Sequence, residues 1–222
     1  MAKLAPQLIQ FYKTLVAPTL PKGFGLLHPQ PEKEVMDIVE KFFLKFYNDS
    51  KPRKLLLGIN PGRFGAGITG VNFTAPRQLK KYCGIDHTWK DSSELSAEFI
   101  YEMIEAYGGA SKFYGDYFIG AVSPLGYIMD GKNVNYYDDK KLFAAVRPFI
   151  IDTLQQQLKM GFQRDTCFCI GGEKNYRFLT QLNDQFGFFE KIVPLAHPRF
   201  IMQYKRKSKQ AYLDEYLAAL RK

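Results

Sequence analysis

A chain of 222 residues, 46% hydrophobic and 15% aromatic, is long enough to bury a sizeable core, and its formal charge of +9 points to an acidic partner. No apolar run reaches the length of a membrane span, and the opening Met-Ala-Lys-Leu-Ala-Pro lacks the apolar core of a secretory signal. A soluble, intracellular protein is therefore expected, in the cytoplasm or nucleoid of a bacterium or the nucleus of a eukaryote, with no membrane partner.

Residues 31–48 carry helical spacing, with Val35, Ile38, Val39, Phe42, Phe43 and Phe46 on one broad face. After the break at Asn48-Asp49-Ser50-Lys51-Pro52, Leu55-Leu56-Leu57 ending in Gly58 suits a buried strand. Asp91-Ser92-Ser93-Glu94 resembles a capping box that opens a helix ending at Gly108-Gly109. Tyr117 to Val122 reads as a second buried strand, and Asp130-Gly131 as a tight turn between short extended pieces. Residues 139–158 are helical; Thr166 to Ile170 is a third strand, followed by Gly171-Gly172 and another helix. Ile192 to Leu195 is a fourth strand, and Ser208 precedes a final helix. Cys83, Cys167 and Cys169 are expected as reduced, buried thiols; three cysteines are too few for an ordinary four-thiolate cluster, and three histidines give zinc little support. No metal and no cofactor is expected.

Strands separated by helices predict an α/β fold, a three-layer α/β/α sandwich around a mostly parallel sheet of about four strands, as a single domain over 1–222. In such folds the site lies beyond the carboxyl ends of the strands. The segments after Leu57, Val122, Ile170 and Leu195 should therefore approach one another. The positive charge is concentrated in two windows. Residues 51–90 hold eight Lys or Arg against Asp86 alone, and residues 197–210 hold Arg199, Lys205, Arg206, Lys207 and Lys209 with no acid. Joined by folding, these windows would suit a phosphate backbone; apart, they are ordinary solvated side chains.

The first unusual motif follows the first strand: Gly58-Ile59-Asn60-Pro61-Gly62-Arg63-Phe64-Gly65, then Thr69-Gly70-Val71-Asn72-Phe73. It is no P-loop, since no Gly-Lys-Ser/Thr follows, and Pro61 interrupts any dinucleotide fingerprint. The run resembles motif one of the single-strand-selective monofunctional uracil-DNA glycosylase group of the uracil-DNA glycosylase superfamily, which has G-M-N-P-G-P-F-G and then T-G-V-P-F at the same spacing. The resemblance implies a DNA-repair enzyme that hydrolyses the N-glycosidic bond of uracil in single- or double-stranded DNA. It implies that Asn60 holds the attacking water, since an amide positions water but is not basic near neutral pH. Phe73 would stack on the extruded base, Ile59 and Phe64 would wall the pocket, and N–H groups of the loop that runs through Gly58, Pro61 and Gly62 would bind a base carbonyl.

The second motif is Leu195-Ala196-His197-Pro198-Arg199, where the family has His-Pro-Ser. The resemblance makes His197 the donor to the leaving base. Pro198, Arg199 and Phe200 would enter the DNA, with Arg63, Lys205, Arg206 and Lys207 on phosphates. No lysine stands in a nucleophile's place, so no strand-cleaving lyase activity is expected. One departure concerns the base edge: Phe118-Ile119-Gly120-Ala121-Val122-Ser123-Pro124-Leu125 puts Ala121 where the family has an Asn that reads the base. Ser123, Asn133 or Asn135 is the substitute expected from the sequence, and a wider range of deaminated bases is open. The expected partner is DNA and the expected state a monomer. The competing readings are a binding relative without catalysis and a hydrolase of free nucleosides or nucleotides.

Overall fold

A computed structural model describes residues 2–221. In chain order the elements are α1 (Leu4–Lys13), β1 (Phe24–Leu27), α2 (Lys33–Phe46), β2 (Lys54–Gly58), α3 (Ala66–Thr69), α4 (Pro76–Cys83), α5 (Leu95–Tyr107), α6 (Ala110–Asp116) and β3 (Tyr117–Ala121). They continue with β4 (Gly126–Met129), β5 (Lys132–Val134), α7 (Lys140–Leu158), β6 (Thr166–Cys169), α8 (Gly172–Phe186), β7 (Lys191–Pro194), α9 (Pro198–Tyr204) and α10 (Lys209–Leu220).

The central sheet has four parallel strands in the order β3-β2-β6-β7, with helices on both faces, as the sequence predicts. Strand β2 is central because its Leu55-Leu56-Leu57 run is buried on both sides, which an all-parallel sheet requires. Chain order reverses beside β2: one crossover leads to β3 on one side, the next to β6 on the other. Such a reversal opens a crevice at the carboxyl ends of the two strands. The ladder runs one step past the strands, with Val122 N–H donating to Gly58 O, Ile170 N–H to Leu57 O and Leu195 N–H to Cys169 O, each at 2.9 Å. The four loops that leave the sheet thus start in register.

Helix α2 buries every apolar residue of its predicted face. Asp139 caps α7 by accepting from the N–H groups of Lys141 and Leu142. Asp130 and Gly131 both have positive φ and close the β4–β5 hairpin, the geometry an Asp-Gly turn supplies. The three cysteines are free and buried.

Two findings differ from the sequence reading. A second sheet, β1-β4-β5, is antiparallel, and β1 carries no alternating pattern because all four of its residues are half-buried. The Asp91–Glu94 capping box does not form: α5 starts only at Leu95, Ser93 exchanges hydrogen bonds with Gln78, and Glu94 occupies the cap position without a side-chain cap bond. No described helix is long and apolar enough to cross a membrane.

Candidate active site

Asn60 stands two residues beyond β2, and both ends of its amide are fixed. Its Oδ1 accepts from the Tyr136 N–H at 3.1 Å, and its Nδ2 donates to the carbonyls of Val134 at 3.3 Å and Pro61 at 3.4 Å. The segment that holds it is itself anchored: the buried Tyr136 hydroxyl donates to Asn175 Oδ1 at 2.6 Å. Asn175 Nδ2 in turn reaches Cys169 Sγ at 3.2 Å and Gly58 O at 3.5 Å, closing a ring of contacts back to β2. A carbonyl oxygen has two lone pairs, so Asn60 Oδ1 retains one for a water.

His197 follows β7 and is the N-cap of α9; its Nδ1 accepts from Arg199 N–H at 3.0 Å. That bond assigns the ring proton to Nε2, leaving a donor for a ligand. Desolvation, reinforced by Arg199, lowers the imidazole to about 4, so it is neutral near pH 7. Pro198 at the first helical position is buried and sets the helix entry.

Asn60 and His197 line one cavity of about 380 Å³, together with Ile59, Pro61 and Phe73. The volume suits one small ring system with its sugar. Phe73 lies over the backbone of Gly58, where a Cβ would meet its ring at 2.5 Å, so only glycine admits the ring there. Phe73 also has φ 52°, an uncommon conformation for an aromatic residue and a strain typical of functional positions. Its ring centroid is 6.2 Å from that of His197.

Several other predicted residues reach the same cavity. Gly62, Asn133, Asn135, Arg199 and Phe200 line it. Asn133 Oδ1 accepts from Arg63 N–H at 3.2 Å, and the Arg63 guanidinium donates to Gly131 O, so the glycine loop and the β4–β5 hairpin are clasped. Others stand elsewhere. Ser123 is fully buried and its hydroxyl is spent on Leu125 O and Tyr127 Oη, both at 2.8 Å, so it does not face the cavity. Gly58 forms the bed beneath Phe73 instead of contacting the void. Phe64 is exposed, carries the Arg63 guanidinium 4.5 Å above its ring and borders an adjoining groove of about 260 Å³. Lys205, Arg206 and Lys207 are exposed beyond α9 and outside the cavity.

The two basic windows merge only in part. Arg53 is buried against Asp49, Lys54 pairs with Asp165, Arg77 with Asp91 and Lys209 with Glu102. Arg199 lines the cavity, while Arg63, next to Gly62, turns its guanidinium to Gly131 O and the Phe64 ring.

Sequence reasoning missed Asn72, Glu94, Ser96, Tyr137, Gln203 and Tyr204, all of which line the cavity. Asn72 had a visible signal, since it sits inside the first motif where the family has Pro. The others arrive from α5, α9 and the β5–α7 segment, and no local pattern marks them.

A family profile described as the Uracil DNA glycosylase superfamily matches residues 44–221. The chain belongs to the uracil-DNA glycosylase superfamily. Wild-type SMUG2 of Pedobacter heparinus, a solved crystal structure, is 49% identical, with TM-score 0.95, covering 100% of this chain and 98% of that one. A search of curated proteins gave no match. The cavity described above is therefore the candidate active site of a DNA-repair glycosylase, and both halves of it lie within the span that the family profile covers.

Proposed function

We propose that this superfamily member hydrolyses the N-glycosidic bond of uracil in DNA, in single strands or with the nucleotide flipped from a duplex, by water attack without lyase chemistry. The observation that carries the reading is the convergence of Asn60, Phe73 and His197 on one cavity. Extrusion costs a few kcal/mol, offset by stacking on Phe73 and by phosphate contacts. As the bond from C1′ to the base nitrogen breaks, its electron pair moves onto the ring and its carbonyl oxygens. The His197 Nε2–H meets that growing charge, and a neutral donor strengthens its bond most in the transition state. Water held at the free lone pair of Asn60 then adds to C1′ and releases its proton to solvent. Asn60 acts by position and not as a base. Among the described residues no lysine lines the cavity, which supports a monofunctional reaction.

Because the Ala121 side chain offers no hydrogen bond, related deaminated bases are included as proposed substrates. The test is a set of oligonucleotides carrying uracil, hypoxanthine, xanthine or a damaged pyrimidine, incubated with protein and heated in alkali. Cleavage at uracil is expected, and Asn60→Ala and His197→Ala should each reduce it ~10²–10³-fold. Tight binding without abasic sites would instead identify a non-catalytic binder, and turnover of free deoxyuridine a small-molecule hydrolase.

A further inference from the structure

The place on β3 where the family has a base-reading Asn carries Ala121 here. The Ala121 side chain has no polar atom, Ser123 is spent elsewhere, and the Asn133 amide is drawn toward the glycine loop by accepting from Arg63 N–H. The Asn72 amide nitrogen is directed at Tyr12 Oη, 3.4 Å, and Ile119 O, 3.5 Å. Asn135 also lines the cavity, and one further group there has the opposite peculiarity. Glu94 borders both the cavity and the adjoining groove, yet its carboxyl caps no helix and makes no hydrogen bond or ion pair among the described residues. It overhangs the glycine loop, with Oε1 2.7 Å from the place a Cβ on Gly65 would take and Oε2 4.0 Å from the corresponding place on Gly62. Buried Ser96, one residue beyond Leu95, faces the same two spaces. A partly desolvated carboxyl with no partner is unfavourable in the free protein and points to a ligand that supplies one.

We propose that Glu94 reads the edge of the extruded base, pairing as a neutral carboxylic acid with the N–H and C=O of a lactam. The inference rests on the uracil-excising reading of the same cavity. A carboxylic acid offers O–H and C=O side by side, the donor–acceptor pair an asparagine amide would present. Uracil and other deaminated bases display the complementary –NH–C(=O)– edge. An ionised carboxylate accepts from the N–H but repels the carbonyl and the negative charge of the departing ring.

Burial raises the Glu94 acid to about 7, opposed by Arg199. Charged and titratable neighbours facing these spaces are Arg199, His197 and Tyr204 from the α9 region, Tyr137 before α7, and Glu98 on α5 itself. His197 titrates near 4 and burial moves Tyr137 upward, so neither changes state near neutrality. The neutral acid predominates below about 7, so reading of the lactam weakens as pH rises through that value.

The experiment measures affinity for a single strand carrying non-hydrolysable 2′-fluorodeoxyuridine, relative to the same strand with an abasic site, across pH. The wild-type preference for the base should fall on the alkaline side of about 7. Glu94→Gln should keep a preference and lose this pH dependence; Glu94→Ala should lose about tenfold of it while binding abasic DNA normally. The proposal is overturned by wild-type protein showing no preference for the base, by Glu94→Gln retaining the alkaline fall, or by Glu94→Ala matching wild type. It is equally overturned if the loss falls on Asn72→Ala instead. Because this readout is binding, it stays separate from the excision assay: absent excision with an intact Glu94-dependent preference would sink only the catalytic reading.

Discussion

The two walls of the cavity are built differently. On the sheet side, Asn60 is held from three directions, Phe73 rests on Gly58, and Tyr136 and Asn175 tie the surrounding loops to β2. On the α9 side, Arg199, Phe200 and Tyr204 are exposed, with the ring centroids of Phe200 and Tyr204 5.9 Å apart. His197, by contrast, is pinned by its cap bond, and Pro198, Ile201 and Met202 bury the other face of the helix. The difference matches two tasks. Positioning a water and a developing anion requires groups that do not reorganise, whereas a nucleic-acid strand is bound by cations and by aromatic faces that adapt.

This contrast can be broken by mutation. The largest effects should fall on Asn60→Ala and His197→Ala in single-turnover excision, ~10²–10³-fold, against less than about tenfold for Phe200→Ala or Tyr204→Ala at saturating protein, a loss that stacking on one base would explain. Comparable losses on both walls would erase the distinction. Next, Gly58→Ala should displace Phe73 and cost about as much as Phe73→Ala, the ~1–3 kcal/mol of one stacked base, read as base-dependent affinity. An unaffected Gly58→Ala would mean that Phe73 does not stack.

Acid should act on the His197 cap. Its pKa falls from the ordinary 6.5 to about 4 on folding, so the unfolded chain binds the proton more readily. Stability from this group is complete above 6.5 and declines as pH falls from there to about 4. Excision through the neutral ring should persist until pH approaches about 4, and His197→Ala should abolish that limb of a thermal-melt and rate series. A smaller effect is expected for Tyr136→Phe, which removes the bond to Asn175: about 1 kcal/mol of stability, with a rate loss of a few-fold through a looser Asn60. The smallest is expected at the far end of the α9 wall. Replacing Lys205, Arg206 and Lys207 by Ala should leave saturated rates unchanged and flatten the salt dependence of single-strand binding by about 0.7 in log–log slope per lost phosphate contact.

Much of this architecture was legible in the residues. The Leu55–Leu57 run, the apolar face of α2 and the Asp130-Gly131 turn are short-range signals, and each formed as read. So did the mostly parallel sheet of about four strands, because strands separated by helices leave few alternatives. Ser123 was misread because proximity to Ala121 in sequence says nothing of direction: its hydroxyl turned inward to Tyr127. The Asp91–Glu94 segment was misread because a capping pattern competes with tertiary partners, and Gln78 took Ser93. Charge counting left open whether the two basic windows form one face, since it does not show which acids pair with Lys54, Arg77 and Lys209.

By itself the amino-acid order determined the strand–helix alternation, the family motif and the two side chains proposed for chemistry, since all three are written in contiguous residues whose spacing matches a backbone period or loop. Only the tertiary structure decided that Asn60 and His197 share a cavity, which tautomer His197 holds, and that Glu94 faces that cavity without a partner among the described residues. Those outcomes depend on where separate elements meet, and burial, which sets both hydrogen-bond partners and protonation, exists only once they have packed.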